Sequence, residues 1–351
     1  MQTPAAGNAP PTEEQLLQAE IDHFNSIQGD ILLTRVTRDL ADIEAKVNNL
    51  PANIANIRSR GYVFKSWLET KAQTLAAQWH EVRPRLDTNV QSQSQQLRYR
   101  ADQVQAAHDR RQRATADLSA LESEINAAQS NLQGMYNPIN ETMQQTQKQL
   151  DDIAWTLQQA EQASFGFVAT EAPVEAVLAN WSKPGAKEGM GGVLFLTDQR
   201  LIFEQKEEIA TKKVLFIATE KKKVQALGWD LPIANLATAT GSHRGFMNKD
   251  DFLTVTCASG AGLSTPQGTT YPTADIHLKG QTGDAWQGFI GRVKSGDVAN
   301  ERTVPVDEKA AATAASAPTN CGTCGATITQ TILRGQTEIS CQYCGSVIRL
   351  S

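Results

Sequence analysis

Four cysteines stand as two CxxC pairs, Cys321 with Cys324 in CGTCG and Cys341 with Cys344 in CQYCG, with sixteen residues between them. No other feature of the chain restricts its folding so tightly. A CxxC turn aims two thiolates at one centre, and the glycine after each pair lets backbone N–H groups approach the sulfurs. Two such knuckles at the ends of a short hairpin supply the four ligands of a tetrahedral Zn²⁺. A redox CxxC would sit where a strand meets a helix and would occur once. Here it occurs twice, in a segment rich in Thr, Gly and Ile with no helical pattern. Disulfides would need an exporting signal, and MQTPAAGNAPPTEEQ has no apolar h-region. With all four positions filled by protein sulfur, the metal has no place for water or substrate, so its expected role is structural. Thr327, Ile328, Ile332, Ile339 and Val347 are the available apolar cover. That is too little for a core, so the metal is expected to fold the segment.

These last residues, 320–351, resemble the zinc-ribbon family. Before them, 297–319 is rich in Ala, Thr, Ser and Pro (AATAASAPT at its centre) and is expected to be a flexible tether. The fifth cysteine, Cys257, lies in an alternating apolar segment and reads as a buried thiol. No stretch approaches 18 consecutive apolar residues, and cysteine usage points to the cytosol, with peripheral membrane attachment left open.

The first part of the chain is helical in pattern. Residues 1–11 carry three prolines and read as a disordered tail, and 12–164 as a helical coiled-coil region. Thr12 with Gln15 offers a capping box. Val36, Leu40, Ile43, Val47 and Leu50 step by four and three, and Pro51 is expected to end that helix. A second would carry Phe64, Leu68, Leu75, Trp79 and Val82, with a kink or restart at Pro84. Val104, Ala107, Ala114, Leu118, Leu121, Ile125, Ala128 and Leu132 keep a heptad register, interrupted at Arg111. After an expected break at 134–138 the register resumes with Ile139, Met143, Leu150, Ile153, Leu157 and Ala160. A sustained narrow seam means coiled coil, either folded back within one chain or paired between copies. A lipid-coating helix would need a wide apolar face with a basic margin, which the thin, Gln- and Asp-rich pattern lacks.

Past residue 165 the period changes. Glu171–Trp181 reads as a short helix. Then GVLFLTDQRLIF (192–203) reads as a hairpin bent at Thr-Asp-Gln, with further strands at Lys213–Ala218, Asn235–Ser242, Phe252–Cys257 and Ala274–Leu278. Trp286, Phe289, Ile290 and Val293 fall on one face of a closing helix over 283–293. The hairpin and the closing helix, in that order, resemble the GRAM and bacterial PH-like families over 165–296. The resemblance implies a small antiparallel β-barrel with a C-terminal capping helix, used to dock on proteins or anionic lipids. Arg200, beside the turn, is expected to anchor it.

The whole is therefore expected to be multidomain α + β: helical coiled coil, PH/GRAM-like barrel and small β zinc ribbon. The lysines to weigh for an anionic surface are Lys206, Lys212, Lys213, Lys221, Lys222 and Lys223, each able to contribute about 1 kcal/mol near an anionic bilayer. The alternative is a solvated loop that guards sheet edges, which the interspersed Glu207, Glu208 and Glu220 favour. The formal charge of −5 argues against a general nucleic-acid binder. The ribbon adds only Arg334 and Arg349 against Glu338, with Tyr343 as a stacking candidate. No phosphate loop, GxSxG or HExxH occurs, and His23, His80, His108, His243 and His277 are scattered. Those in helical sequence are expected on solvated faces, and His277 at a surface or edge. The expected function is a non-enzymatic scaffold or adaptor with a protein partner, oligomerising through its coiled coil and using a structural Zn²⁺. The rivals are a lipid-binding peripheral protein and a zinc-ribbon nucleic-acid binder, and no small-molecule substrate is expected.

Overall fold

The computed structural model describes residues 10–183, 189–214, 217–245, 247, 249–306, 320–328, 330, 332–333 and 336–350, with the backbone alone for 209–214 and 217–222. The chain divides into two compact units, Met1–Ala52 with Glu69–Lys148 and Asn53–Leu68 with Gln149–Ser351.

The helices are α1 (Glu13–Ser26), α2 (Gln28–Ile31), α3 (Thr34–Ser59), α4 (Leu68–Asp109) and α5 (Thr115–Glu161), and they make the first unit a bundle, except that residues 53–59 of α3 and 149–161 of α5 belong to the second unit. The expected capping box opens α1: Thr12 Oγ1 accepts from Gln15 N, and Gln15 Oε1 accepts from Thr12 N. Val36, Leu40, Ile43, Val47, Leu50, Leu118, Leu121, Ile125, Ala128 and Leu132 are all buried. Polar contacts show the packing order. Arg83 donates to Glu44 (2.7 Å) and the Leu40 carbonyl (3.2 Å), so α4 runs antiparallel to α3. Gln129 reaches Asp30 and the Tyr136 hydroxyl reaches Asp39, so α5 runs alongside α2 and α3. The heptad seam is thus filled by helices of the same chain.

The breaks are not where the prolines stand. Pro51, Pro84 and Pro138 all lie inside helices, and all three are exposed. A solvent-facing proline loses one hydrogen bond where water can replace it, while the buried face keeps its contacts. The chain turns at two Schellman motifs instead. At the first, Gly61 (φ 89) donates to the Arg58 carbonyl and Tyr62 to Ile57. At the second, Arg111 (φ 56) donates to His108 and Gln112 to Ala107. Phe64 consequently lies in the loop after α3, not on a helix.

The second turn is pinned by a buried carboxylate. Glu20 accepts from Ala114 N (2.6 Å), Thr115 Oγ1 (2.6 Å) and His108 Nε2 (3.0 Å), with Arg113 at 3.5 Å. His108, expected on a solvated face, is therefore buried in this network. Burial would raise the Glu20 pKa, but the bonds from Thr115, Ala114, His108 and Arg113 outweigh it and hold the group down at about 2.

Among the described residues of the second unit, nine strands form one curled antiparallel sheet. They are β1 (Pro173–Trp181), β2 (Met190–Thr197), β3 (Arg200–Val214), β4 (Ile217–Pro232), β5 (Leu236–Arg244), β6 (Asp250–Cys257), β7 (Leu263–Ser264), β8 (Thr270–Tyr271) and β9 (Thr273–Lys279), in the order β5-β6-β9-β1-β2-β3-β4-β7-β8. Among the described residues β5 and β8 are its ends, so the expected barrel is not closed by hydrogen bonds. The segment read as a helix, 171–181, is instead the central strand β1. It lies between β2 and β9 with every residue but Leu178 and Asn180 buried, and a run such as VEAVLANW so covered shows no strand alternation to set against a helical reading. The run Lys213–Ala218 is not a strand of its own but straddles the β3–β4 tip, where Val214 pairs with Ile217. β9 lies between β6 and β1, so His277 is not at an edge but half-exposed on the face of an interior strand. There it stacks on Phe252 at 4.9 Å.

Trp181, Phe203 and Trp229, all fully buried, meet at ring-centroid distances of 5.8–6.1 Å in the sheet core. Cys257 is a buried free thiol, as expected. The closing helix α6 (Gly283–Lys294) is capped by Thr282 and buries Trp286, Ile290 and Val293. It lies so close to β5 that a β-carbon on Gly241 would meet the Gly283 carbonyl carbon at 2.3 Å. Lys294 Nζ donates to the Leu236 and Ala237 carbonyls, so α6 also guards the strand edge. Residues 297–303, expected to begin the tether, instead form α7 (Asp297–Asn300) and a stretch bonded to the α3–α4 loop. In that stretch Ser66 donates to Glu301 O (3.0 Å) and Thr303 to Val63 O (2.8 Å). The last 13 tether residues, 307–319, lie outside the described residues, as does most of the expected N-terminal tail.

Arg200 anchors the β2–β3 turn as expected. It donates to Glu171 (2.6 and 3.0 Å), Asp230 (2.8 Å) and the Gly166 carbonyl (3.0 Å). Arg200→Ala removes the guanidinium from a fully buried carboxylate and is expected to cost about 3–5 kcal/mol in chemical denaturation. Glu20→Gln is expected to cost the helical unit about 1–3 kcal/mol. Because the folded Glu20 pKa lies below its ordinary 4.5, wild type should keep this contribution above pH 4.5 and lose it as pH falls toward about 2. Helix melting followed by circular dichroism should show that acid-dependent loss in wild type and a shallower one in the variant.

Candidate metal centre and basic hairpin

The two knuckles fold as near copies. Gly325 N donates to Cys321 O (2.8 Å) and Gly345 N to Cys341 O (2.9 Å), with both glycines at φ 73. Cys321 N donates to Ala326 O and Cys341 N to Ser346 O. Positive φ is open to glycine at little cost, which explains the glycine after each CxxC. Strands β10 (Glu338–Ser340) and β11 (Val347–Arg349) pair antiparallel to complete the hairpin.

All four sulfurs lie within 4.8 Å of one another. Cys321 to Cys344 and Cys324 to Cys341 are each 3.7 Å. With metal–sulfur bonds of about 2.3 Å, a tetrahedron has edges of about 3.8 Å, so these two pairs already stand at that separation. The donor set is all thiolate and leaves no ligand position open, which fits a structural metal site. Among the described residues it is the one group of three or more metal-ligating side chains.

The local electrostatics differ between the sulfurs. Ser346 Oγ lies 3.2 Å from Cys321 Sγ and 3.1 Å from Cys344 Sγ. Its hydroxyl, with backbone N–H groups of Cys324 and Thr323, pulls Cys321 down to about 5, and the same hydroxyl lowers Cys344. Cys324 accepts from Ala326 N–H, which lowers it, but the crowding sulfurs of Cys344, Cys341 and Cys321 push it up to about 12. Four thiolates cannot share this space without a cation, and a divalent metal removes that conflict. Ser346 was not singled out from sequence. The signal was the alignment of CGTCGA with CQYCGS, in which Ser346 replaces Ala326.

Apolar cover is as thin as expected but differently placed. Ile332 and Ile339 are buried, whereas Val347 is 59% exposed and Thr327 is also exposed. In the β10–β11 register Ile339 faces Ile348, so alternation turns Ile348 inward and Val347 outward.

The lysines fall on one hairpin. Lys206 is not free for a ligand, because its Nζ donates to Gln159 (2.9 Å) and Gln162 (3.2 Å). Lys223 is exposed on β4, opposite Glu208. The backbones of Lys212, Lys213, Lys221 and Lys222 flank the same hairpin tip, and their side chains lie outside the described residues.

No protein-family model and no curated protein matches the chain. Among solved structures, the PDZ-RhoGEF DH/PH domains in complex with activated RhoA align over 82% of this chain and 96% of that one, at 12% identity and a TM-score of 0.27. The Slm1 PH domain with inositol-4-phosphate aligns over 35% and 96%, at 10% identity and 0.21. The Vav1 exchange factor aligns over 76% and 83%, at 11% and 0.24. At scores this low the likeness settles neither fold nor ligand. The PH-like reading rests on the strand order and the closing helix.

Metal removal tests the centre directly. The purified chain is expected to hold one tetrahedral metal, and Cys341→Ser to lose it. Cobalt substitution should give the intense visible bands of a four-sulfur site, checked by absorption and elemental analysis.

Proposed function

We propose that this chain is a non-enzymatic docking scaffold. In this reading the helical unit is a spacer, the sheet unit is a PH/GRAM-like docking module, and the ribbon is a zinc-folded knob that recruits a protein. The four-sulfur centre carries the reading: with every ligand position taken by protein, the metal builds a rigid surface instead of activating a substrate. The order β4-β3-β2-β1-β9-β6-β5 closed by α6 supports the docking module. A homo-oligomer through the helices would use their outer faces, since the seam is covered within the chain. No described helix is long and apolar enough to cross a membrane, and cytoplasmic placement, with peripheral attachment as an option, belongs to the same proposal.

A protein partner is favoured over lipid because Lys206 is tied down and Lys223 faces Glu208. The second reading, an anionic membrane surface, draws on five lysines that crowd the end of one hairpin. Flotation with phosphatidylcholine vesicles, with and without phosphatidylinositol 4-phosphate, separates the two. The docking reading expects no headgroup-dependent flotation. Flotation abolished by glutamate at Lys212, Lys213, Lys221, Lys222 and Lys223 would establish the lipid reading instead. Affinity capture with cross-linking should place the protein partner on 320–351, and capture indifferent to removal of those residues would defeat recruitment by the ribbon.

A further inference from the structure

Leu333, between the two knuckles, reaches the segment that leads into β1. Leu333 forms an antiparallel bridge with Val168, in the strap of residues 162–172 that joins α5 to β1. Its side chain lies directly on Gly166, where a β-carbon would meet Leu333 Cδ1 at 2.6 Å, Cδ2 at 3.1 Å and Cγ at 3.2 Å. Gly166 does not take a positive φ, so its backbone does not demand glycine. The absent side chain makes a notch, and Leu333 fills it.

Both halves of this contact are held in place. On the strap, Arg200 grips the Gly166 carbonyl at 3.0 Å, and Phe165 packs edge-on against Phe195 at 5.3 Å. On the ribbon, Leu333 N donates to Gln336 Oε1 (2.9 Å) and Gln336 N returns to Leu333 O (3.1 Å). Next to Leu333 in sequence is buried Ile332, one of the ribbon's two buried isoleucines. So little apolar cover cannot hold the loop in shape alone; the four-sulfur centre must do so.

We infer that the metal-bound ribbon is a latch on the α5–β1 strap, seated through Leu333 in the Gly166 notch, and that loss of the metal releases it. The inference rests on the zinc-ribbon reading above. It gives the ribbon two states, one docked on its own chain and one with the Leu333 face open to a partner.

Hydrogen–deuterium exchange on the full chain tests this, read on peptides covering 165–170, with β2 peptides as a folding control and metal content measured in every sample. Zinc-loaded wild type should exchange slowly at 165–170. Leu333→Asp and Gly166→Val should each raise exchange there several-fold while zinc content and β2 exchange stay unchanged. Wild type stripped by chelator under reducing conditions should match Leu333→Asp, and stripping that variant should add nothing. If stripped wild type keeps slow exchange at 165–170, the latch is wrong and the metal centre stands. If the chain takes up no zinc at all, the metal centre fails and the metal dependence fails with it. Unchanged exchange in both zinc-loaded variants would overturn the docking contact itself.

Discussion

The sheet unit is organised around one carboxylate taken wholly out of water. Glu171 is fully buried, and burying such a charge costs several kcal/mol unless every lone pair is met. Here the Arg200 guanidinium meets both oxygens, Thr197 Oγ1 donates at 2.6 Å and Val168 N at 2.7 Å. The same arginine reaches Asp230 on β4 and the Gly166 carbonyl in the strap. One buried ion pair therefore fixes the β2–β3 turn, the neighbouring β4 and the path by which the chain enters β1. Beside it Arg302 donates to Asp198 at 2.7 Å and stands 5.1 Å from the Phe64 ring, which ties the residues after α7 to the same turn. The strap is rigid for these reasons, and a rigid strap can offer a notch.

How much of this was legible in the sequence depended on whether the signal was local. The CxxC-Gly knuckles, the Thr12–Gln15 box, the turn at Thr197–Arg200 and the face of α6 are set by residues within a few positions of one another. All of these appear as read. The failures arise where tertiary context overrides a local rule. Pro51, Pro84 and Pro138 look like helix breakers, but each sits on the wet face of a helix whose dry face is packed. Arg111 takes a left-handed conformation that glycine would signal and arginine does not. His108 looks like any polar helical residue until Glu20, 88 positions away, is placed against it. β1 passes for a helix because a strand covered along nearly its whole length has no alternation to display. At the candidate site the four ligands were legible, whereas Ser346 and the Leu333–Gly166 contact needed coordinates.

The helical unit and the ribbon solve the same problem at opposite scales. Long helices hold a narrow seam by repetition, so the loss of one hydrogen bond at a proline is spread over many turns. The ribbon has two buried isoleucines, a short hairpin and four sulfurs gathered within 4.8 Å of one another, so its order is concentrated in very few side chains. The first tolerates local defects. The second concentrates its order at one cluster of four side chains.

The loop between α3 and α4 carries a consequence for how the chain is made. Val63 and Ser66 leave the ribosome early, yet their backbone partners, Thr303 and Glu301, follow more than 230 residues later. Contacts of such separation must wait for loop closure and form late. During synthesis the helical hairpin can assemble while Tyr62 and Phe64, both buried in the finished protein, remain uncovered until the sheet and its closing helices arrive. Nascent chains arrested before residue 301 would therefore present an aromatic pair to solvent, the kind of surface that holdase chaperones bind. Completion of the fold in this sense waits on residues 301–303.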